Sequence, residues 1–303
     1  MFSQLMNGAR IVSIVLNWNN YLDSRDCIES LKSISYENHD IVVVDNGSED
    51  DSLENLRDDF PDVEFVPLDQ NRGFSGGMNA GISWALERDA DYVWILNNDV
   101  VVKDNQILNE LLHYFDDPSV GGVTPQILEY PDTDSAWFTM GEVDRRSGHS
   151  IHHQSVSEEF GEPIENDYIP LCSALFSTKV FEEYGYLPDK YFIYREDVAF
   201  SYQLGDDYRL LTAPECTVYH KSSSSGGGDL NQTLSYYTAR NRWLLFHEYS
   251  DDMSFPRFLW QYFKWGVSRS GMMVKRAKIG SLSAFARGTV DGILNKVGKG
   301  RYP

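Results

Sequence analysis

The sequence predicts an α/β fold with a mostly parallel central sheet flanked by helices, and three observations predict it. Short apolar, β-branched runs recur at Ile11–Leu16, Ile41–Val44, Val63–Val66 and Tyr92–Leu96. Stretches with helical spacing separate them, and three of the four runs end abruptly in polar residues. Strands apolar on both faces and joined by helices belong to parallel sheets with right-handed crossovers. A chain of 303 residues suffices for one large α/β domain with additions, or for two average domains.

Taken in order, Ile11–Leu16 opens the sheet and stops at Asn17-Trp18-Asn19-Asn20. Asp23–Ser33 reads as a helix with Cys27, Ile28, Leu31 and Ile34 at helical spacing. Ile41–Val44 is stopped by Asp45-Asn46-Gly47-Ser48, and Ser48 or Asp50 is expected to cap the next helix, which carries Leu53 and Leu56. After the strand Val63–Val66, the Gly-rich Arg72–Gly77 is expected as a loop opening a helix that runs to Glu87. Tyr92–Leu96 is halted by Asn97-Asn98-Asp99. Ligands of such sheets bind beyond the carboxyl ends of the strands, and all three polar stops sit at that edge.

Past Val102 the regular alternation fades. Residues 130–168 read as loops or antiparallel ribbons, with His152-His153 as a solvated pair. Ser177–Tyr184 is a helix ended by Gly185, and a further helical stretch follows Arg195-Glu196-Asp197. Two short strands, Leu210–Thr212 and Thr217–Tyr219, precede His220 and a flexible Ser222–Gly228 run; beyond Asn231 the chain is helical. No internal repeat is visible. The organisation read from this is a body of residues 1–250, in halves 1–128 and 129–250, and a basic aromatic tail, 251–303.

Charge sharpens the picture. The chain carries −20 overall, which disfavours nucleic acid as a partner. Arg257–Pro303 holds ten basic residues and one acid, Asp291; it is +9, so residues 1–256 are −29. With Arg outnumbering Lys 16 to 10, so acidic a body suits very high salt, and so a halophilic source, where repulsion is screened. The cations of the tail alternate with Trp260, Tyr262, Phe263, Trp265 and Phe285, a pattern suited to lying on an anionic membrane surface. A packed helix pair answering the acidic body is the competing reading. No run of eighteen apolar residues appears, and Met1–Arg10 lacks a signal pattern. Cys27, Cys172 and Cys216, without metal-ligand spacing, read as reduced thiols of a cytoplasmic protein.

Several residues can carry chemistry. Asp45, closing a strand, can accept hydrogen bonds from a nucleotide base or ribose, although Asp-Asn-Gly is also favourable turn chemistry. Asn97-Asn98-Asp99 offers oxygens to a hard divalent cation such as Mg²⁺ or Mn²⁺, a bound diphosphate supplying the rest; a solvated turn is the alternative. In Asn71–Asn79, backbone N–H groups and Arg72 can meet phosphate oxygens, or its glycines can serve close helix–sheet packing. Glu196 and Asp197, beside aromatic rings, suit a general base or simply complement a helix dipole. His220 is a metal ligand or a structural His.

In this order the motifs resemble the inverting family 2 glycosyltransferases of the GT-A fold, especially rhamnosyltransferase-like members of surface polysaccharide or lipid-linked glycan assembly. The resemblance runs from Val12 to about Tyr249. It rests on Val12–Asn17, Val43–Ser48, Asn71–Phe74 with Asn79, Leu96–Asp99, Tyr194–Asp197, Val218–His220 and Tyr236–Arg242. It implies a nucleotide-sugar site at Asn17, Asp45, Asn46, Arg72, Gly73, Asn79, Asn97 and Asn98. It also implies a divalent metal, Mg²⁺ or Mn²⁺, at Asp99 and His220, with Asn97 standing where the family's first acid is expected. Asp197 would be the base, with Glu196 beside it. Ala199 and Gln203 depart from the family pattern on the acceptor side. The implied enzyme is a hexosyl- or deoxyhexosyltransferase acting on a lipid-linked glycan acceptor, peripheral on the cytoplasmic face of the membrane. Two alternatives stay open: a nucleotidyltransferase on a similar sheet, and a non-catalytic partner of the same fold.

Overall fold

A computed structural model describes residues 8–131, 135–154, 162–221 and 230–302. The Ser222–Gly228 run and most of Met1–Arg10 therefore lie outside the described residues. The first half alternates as expected: β1 (Ile11–Asn17), α1 (Tyr21–Lys32), β2 (His39–Asp45), α2 (Ser52–Asp59), β3 (Glu64–Pro67), α3 (Gly73–Leu86), β4 (Tyr92–Asn97) and a short β5 (Val100–Val102). Then come α4 (Ile107–Leu112), β6 (Val120–Glu129), β7 (Ala136–Phe138), β8 (Met140–Asp144), β9 (His149–His153), β10 (Ile164–Asn166) and β11 (Ser173–Ser177). The chain closes with α5 (Thr178–Tyr184), α6 (Glu196–Leu204), β12 (Arg209–His220), α7 (Gln232–Glu248), α8 (Phe255–Lys275) and α9 (Ile279–Ile293).

The main sheet runs β10-β12-β6-β11-β4-β1-β2-β3, with β5 added to β12 and β7 to β6; β8 and β9 form a separate ribbon. β3, β2, β1 and β4 are parallel, and their register sets Asn17 opposite Asp45 and Leu16 opposite Asn97, so three polar strand ends share one edge. β11 is antiparallel to both β4 and β6, which makes the sheet mixed beyond β4. Ile11, Val15, Val43 and Trp94 are buried with one face's core, and Val12, Ile14, Val42, Val44 and Val93 with the other's. Burial on both faces is why these strands read as continuous apolar runs.

Four expectations are corrected. The Gly-rich segment is no loop: Gly73 opens α3, whose next turns press on the sheet. A Cβ on Gly77 would fall 2.5 Å from Leu16 Cδ1, and one on Gly81 would collide with Ile14. Ser48 does not cap α2, its hydroxyl bonding Asp45 Oδ1 at 2.6 Å; Asp51 stands at the N-cap, and Asp50 Oδ1 accepts the helix's first N–H, that of Ser52, at 3.1 Å. The two short strands after Gly205 are one, β12, broken by a register shift between Ala213 and Thr217. Lastly, β6 was not foreseen, yet it lies inside the sheet and is buried along nearly its whole length.

The tail packs on the body through α9. A Cβ on Gly288 would strike the Tyr236 carbonyl of α7, and one on Gly292 would lie 2.7 Å from the Arg240 carbonyl. Beyond α9 the chain is stitched down: Gly298 N–H donates to Lys190 O at 2.7 Å, and Tyr237 OH to Tyr302 O at 2.9 Å. Among the described residues no helix is long and apolar enough to cross a membrane. The three cysteines are buried and form no disulfide.

Candidate active site

The edge begins with a polar hub. Asn17 is fully buried, and its Nδ2 donates to Asp45 Oδ1 (2.8 Å), Ser52 Oγ (3.0 Å) and Ser48 Oγ (3.2 Å) while its Oδ1 accepts from Ser24 Oγ (2.7 Å). Asp45, 2 % exposed, also accepts from the Ser48 N–H at 3.0 Å. These donors offset the cost of burying a carboxylate and hold it in one orientation. Asn98, just after β4, joins by donating to Ser24 Oγ at 2.9 Å. The Asn97 side chain makes no hydrogen bond among the described residues and is half-buried, the open amide of this edge.

Asp99 is 2 % exposed and lies where β5 pairs with the end of β12. His220 is opposite Val100 in that pairing, which brings His220 Nε2 to 3.0 Å from Asp99 Oδ1. The His220 ring stands edge-on to Trp137, centroids 4.6 Å apart, and its Nδ1 is sealed from solvent without a hydrogen-bond partner among the described residues. His220 Nε2 and Asp99 Oδ1, both on buried side chains and 3.0 Å apart, are a donor pair that suits a divalent cation. Among the described residues no third His, Cys, Asp or Glu joins them, so a cation there needs oxygens from its ligand. Neighbouring Lys221 bridges Asp23 (3.1 Å) and Asp26 (2.7 Å), fixing the end of β12 at His220.

Glu196 and Asp197 begin α6 after an unusual backbone. Phe192, Tyr194 and Arg195 all have φ between 66° and 70°, a left-handed region that costs a non-glycine residue about 1–3 kcal/mol. Such a conformation persists only when over-determined. Asn241 of α7 provides this, its Nδ2 reaching the carbonyls of Tyr191 (3.0 Å), Ile193 (2.8 Å) and Tyr194 (2.7 Å). Arg240 Nη2 adds a bond to Tyr191 O at 2.7 Å, and the Phe74 N–H of α3 donates to Phe192 O at 2.6 Å.

The two acids have different surroundings. Glu196 is buried, its Oε2 has no partner among the described residues, and desolvation, then the Asp197 charge, pushes its pKa well up. Asp197 is half-buried; burial raises its pKa too, but the Val198 N–H (2.7 Å) and the Arg195 charge oppose the rise. Burial thus favours the neutral form of both acids, while Asp197 alone has a backbone N–H and a guanidinium that favour its charge. Buried Cys172 has its thiol pKa raised by burial and then by both Asp99 and Asp197, so one neighbourhood holds the His–Asp pair and the acidic pair.

Other expected site residues are placed differently. Asn46 is a brace: its amide donates to Gly73 O (3.0 Å) and accepts the Arg72 N–H (2.9 Å). Gly73 is covered by Phe192, and Asn79 forms a two-way pair with the Leu187 backbone, 2.9 and 3.0 Å. Exposed Arg72 lines an open cavity of about 770 Å³ with Asn79, Asp189 and Lys299, beside α3. His152 is no solvated side chain: it packs on Trp137 and Phe138, and its Nδ1 lies 3.3 Å from the Tyr168 hydroxyl. Ser24, Ser52, Trp137, Lys221 and the loop-gripping role of Asn241 escaped the sequence reading, because each acts through contacts distant along the chain.

The mixed sheet, parallel from β3 to β4 and flanked by helices, has the GT-A architecture of glycosyltransferases. The chain belongs to glycosyl transferase family 2, whose sequence profile matches residues 13–185. It is 25 % identical over 303 residues to the low-salt glycan biosynthesis hexosyltransferase Agl10 of Haloferax volcanii, covering 94 % of this chain and 92 % of that one. Over 203 residues it is 22 % identical to the O-antigen chain rhamnosyltransferase RfbN of Salmonella typhimurium, covering 67 % and 62 %. The mannosyltransferase PcManGT of Pyrobaculum calidifontis, solved with GDP-Man and Mn²⁺, shares the fold at a TM-score of 0.59 and 14 % identity, over 95 % of this chain and 88 % of that one.

Proposed function

We propose that this glycosyltransferase moves a hexosyl or deoxyhexosyl group, with inversion, from a nucleoside-diphospho-sugar to a lipid-linked glycan acceptor at a membrane surface. One observation carries the reading: the buried Asp45 hub, the Asp99–His220 pair and the Glu196–Asp197 pair gather around one sheet edge. The relatives' names support the substrate class, hexosyl transfer in glycan biosynthesis for one and rhamnosyl transfer to an O-antigen chain for the other. The acidic body supports work in high salt, where its repulsion is screened.

Asp45, held by Asn17 and Ser48, accepts hydrogen bonds from the nucleoside, and Asn97 and Asn98 flank it. Asp99 and His220 are the residues that would hold a divalent cation, and an imidazole nitrogen favours Mn²⁺ over Mg²⁺. When bound, that cation supplies charge neutralisation to the nucleoside diphosphate as it leaves. Asp197, whose charged form the Val198 N–H and Arg195 favour, takes the proton of the attacking acceptor hydroxyl. Asn46, Gly73 and Asn79 act by holding α3 and the 191–195 loop against the donor edge.

The test is calorimetric titration with a panel of nucleoside diphosphates, with and without Mn²⁺ or Mg²⁺, at high salt. Binding of one nucleotide, strengthened by metal, is expected; failure of every nucleotide to bind would overturn the reading. Asp197→Asn should lower turnover by at least about a hundredfold while keeping nucleotide affinity, since removal of a general base removes roughly that much. Turnover like that of the unmodified enzyme would remove Asp197 from the role.

A further inference from the structure

Next to the Glu196–Asp197 pair, basic side chains collect with few acids to answer them. Arg242 of α7 is half-buried, its Nε is sealed from solvent, and it has no hydrogen-bond partner among the described residues. Its guanidinium stacks on Trp265 of α8, 4.2 Å from the ring centroid. Burial, then the charges of Arg195 and Arg269, push its pKa well down. His149 of β9 also has a sealed, unpartnered ring nitrogen, Nδ1. Burial and then Arg242, Arg195 and Lys264 disfavour its charge, against the opposing pull of Asp144. Arg195 closes the group. Its Nη2 holds Gly148 O at 2.6 Å and its Nη1 Ser150 Oγ at 3.3 Å, on either side of His149, while its own Nε is sealed and unpartnered. Asp197 answers Arg195 in part.

Three sealed nitrogens on neighbouring basic side chains have no acceptor, and their like charges repel in a weakly polar setting. A compact multivalent anion resolves both problems, and two guanidinium groups suit the several oxygens of a phosphate. Arg195 immediately precedes Glu196 and Asp197 along the chain, so the cluster adjoins the proposed base. Its outer wall is α8, whose solvent face is apolar: Trp260 is 59 % and Phe263 60 % exposed, and Val267 and Val274 continue the stripe.

We propose that Arg195, Arg242 and His149 bind the phosphate of a lipid-phosphate acceptor, its hydrocarbon chain leaving along the apolar face of α8. This rests on the lipid-linked acceptor proposed above. The shared chemistry is phosphate, and the lipid source is separable from free phosphate by experiment.

The full chain is titrated at working salt with farnesyl phosphate, farnesol and inorganic phosphate, and separately with the nucleoside diphosphate that binds the donor edge. Farnesyl phosphate should bind more tightly than either fragment, without competing with the nucleotide. Arg242→Gln should weaken it roughly tenfold or more, as loss of a charge-assisted contact does, with nucleotide affinity unchanged. Arg242→Lys should weaken it less, and His149→Gln gives an independent reading if Arg242→Gln does not fold. Inorganic phosphate binding as tightly as farnesyl phosphate would make this a free-phosphate site and overturn the lipid assignment. Competition between farnesyl phosphate and the nucleotide would assign the cluster to the donor, and unchanged affinity in Arg242→Gln and His149→Gln would overturn the site. Loss of nucleotide binding alone speaks against the glycosyl-transfer chemistry, not against this cluster.

Discussion

Asn241 concentrates much of the site's geometry in one amide. Three carbonyls of the 191–195 loop converge on its Nδ2, and its Oδ1 accepts from Arg240 Nε at 2.9 Å. Asn241→Asp keeps the shape but sets an oxygen against those carbonyls, so the left-handed residues lose the contacts that hold them. Turnover should fall about a hundredfold through displacement of Glu196 and Asp197, while nucleoside diphosphate affinity stays within about twofold. Steady-state kinetics and calorimetry on the same variant check this, and unchanged turnover would show that the loop holds itself. At this scale the sequence was partly legible. Asp45 and Asp99 stand out because each closes an apolar strand. That Arg240 and Asn241 grip a loop about fifty residues away, or that Asn46 and Asn79 brace backbone, leaves no local trace.

Elements were legible where burial on both faces wrote a continuous apolar run, as in β1, β2 and β4. β6 broke that rule because its sequence, Val-Gly-Gly-Val-Thr-Pro-Gln-Ile-Leu-Glu, contains residues usually excluded from strands. The neighbours explain them. A Cβ on Gly122 would lie 2.6 Å from Phe176 Cε1, and one on Gly121 2.8 Å from the Tyr208 ring. Pro125, without an N–H, pairs with Ala213 where the β12 ladder shifts register. The same bulge made one strand read as two. β2 carries a testable consequence of burial at its start: His39 bonds Ser13 Oγ at 2.8 Å, and desolvation lowers its pKa to about 4 from the free value of 6.5. Between those values the unfolded chain binds the proton and the folded one does not, so stability falls as pH drops from 6.5 toward 4. The loss is at most about 3 kcal/mol. His39→Gln should flatten denaturant-measured stability across that window; an equally steep slope would assign the dependence to other groups.

For the molecule as a whole, the charge imbalance and the tail belong to one argument. α9 is fastened to α7, while α8 turns Trp260, Phe263, Val267 and Val274 to solvent on one helical face, with Arg257, Lys264 and Lys275 beside them. The body carries −29 and is repelled by an anionic bilayer, whereas the tail at +9 is drawn to it. Salt separates these forces. At about 1 M the Debye length is about 3 Å, so charge contributes little in either direction and apolar burial must carry the binding. Burying an aromatic side chain is worth about 1.5–3 kcal/mol, enough for two or three of them to hold a peripheral protein. The enzyme should therefore sediment with vesicles of equal parts phosphatidylglycerol and phosphatidylcholine at high salt, and Arg257→Gln with Lys275→Gln should change that little. Trp260→Asp with Phe263→Asp should abolish it at any salt while nucleoside diphosphate affinity, measured in parallel, reports an intact body. An enzyme that stays in the supernatant at both low and high salt would turn the apolar face of α8 from a membrane surface into a contact for another protein chain, and the acceptor would then have to reach Asp197 from solution.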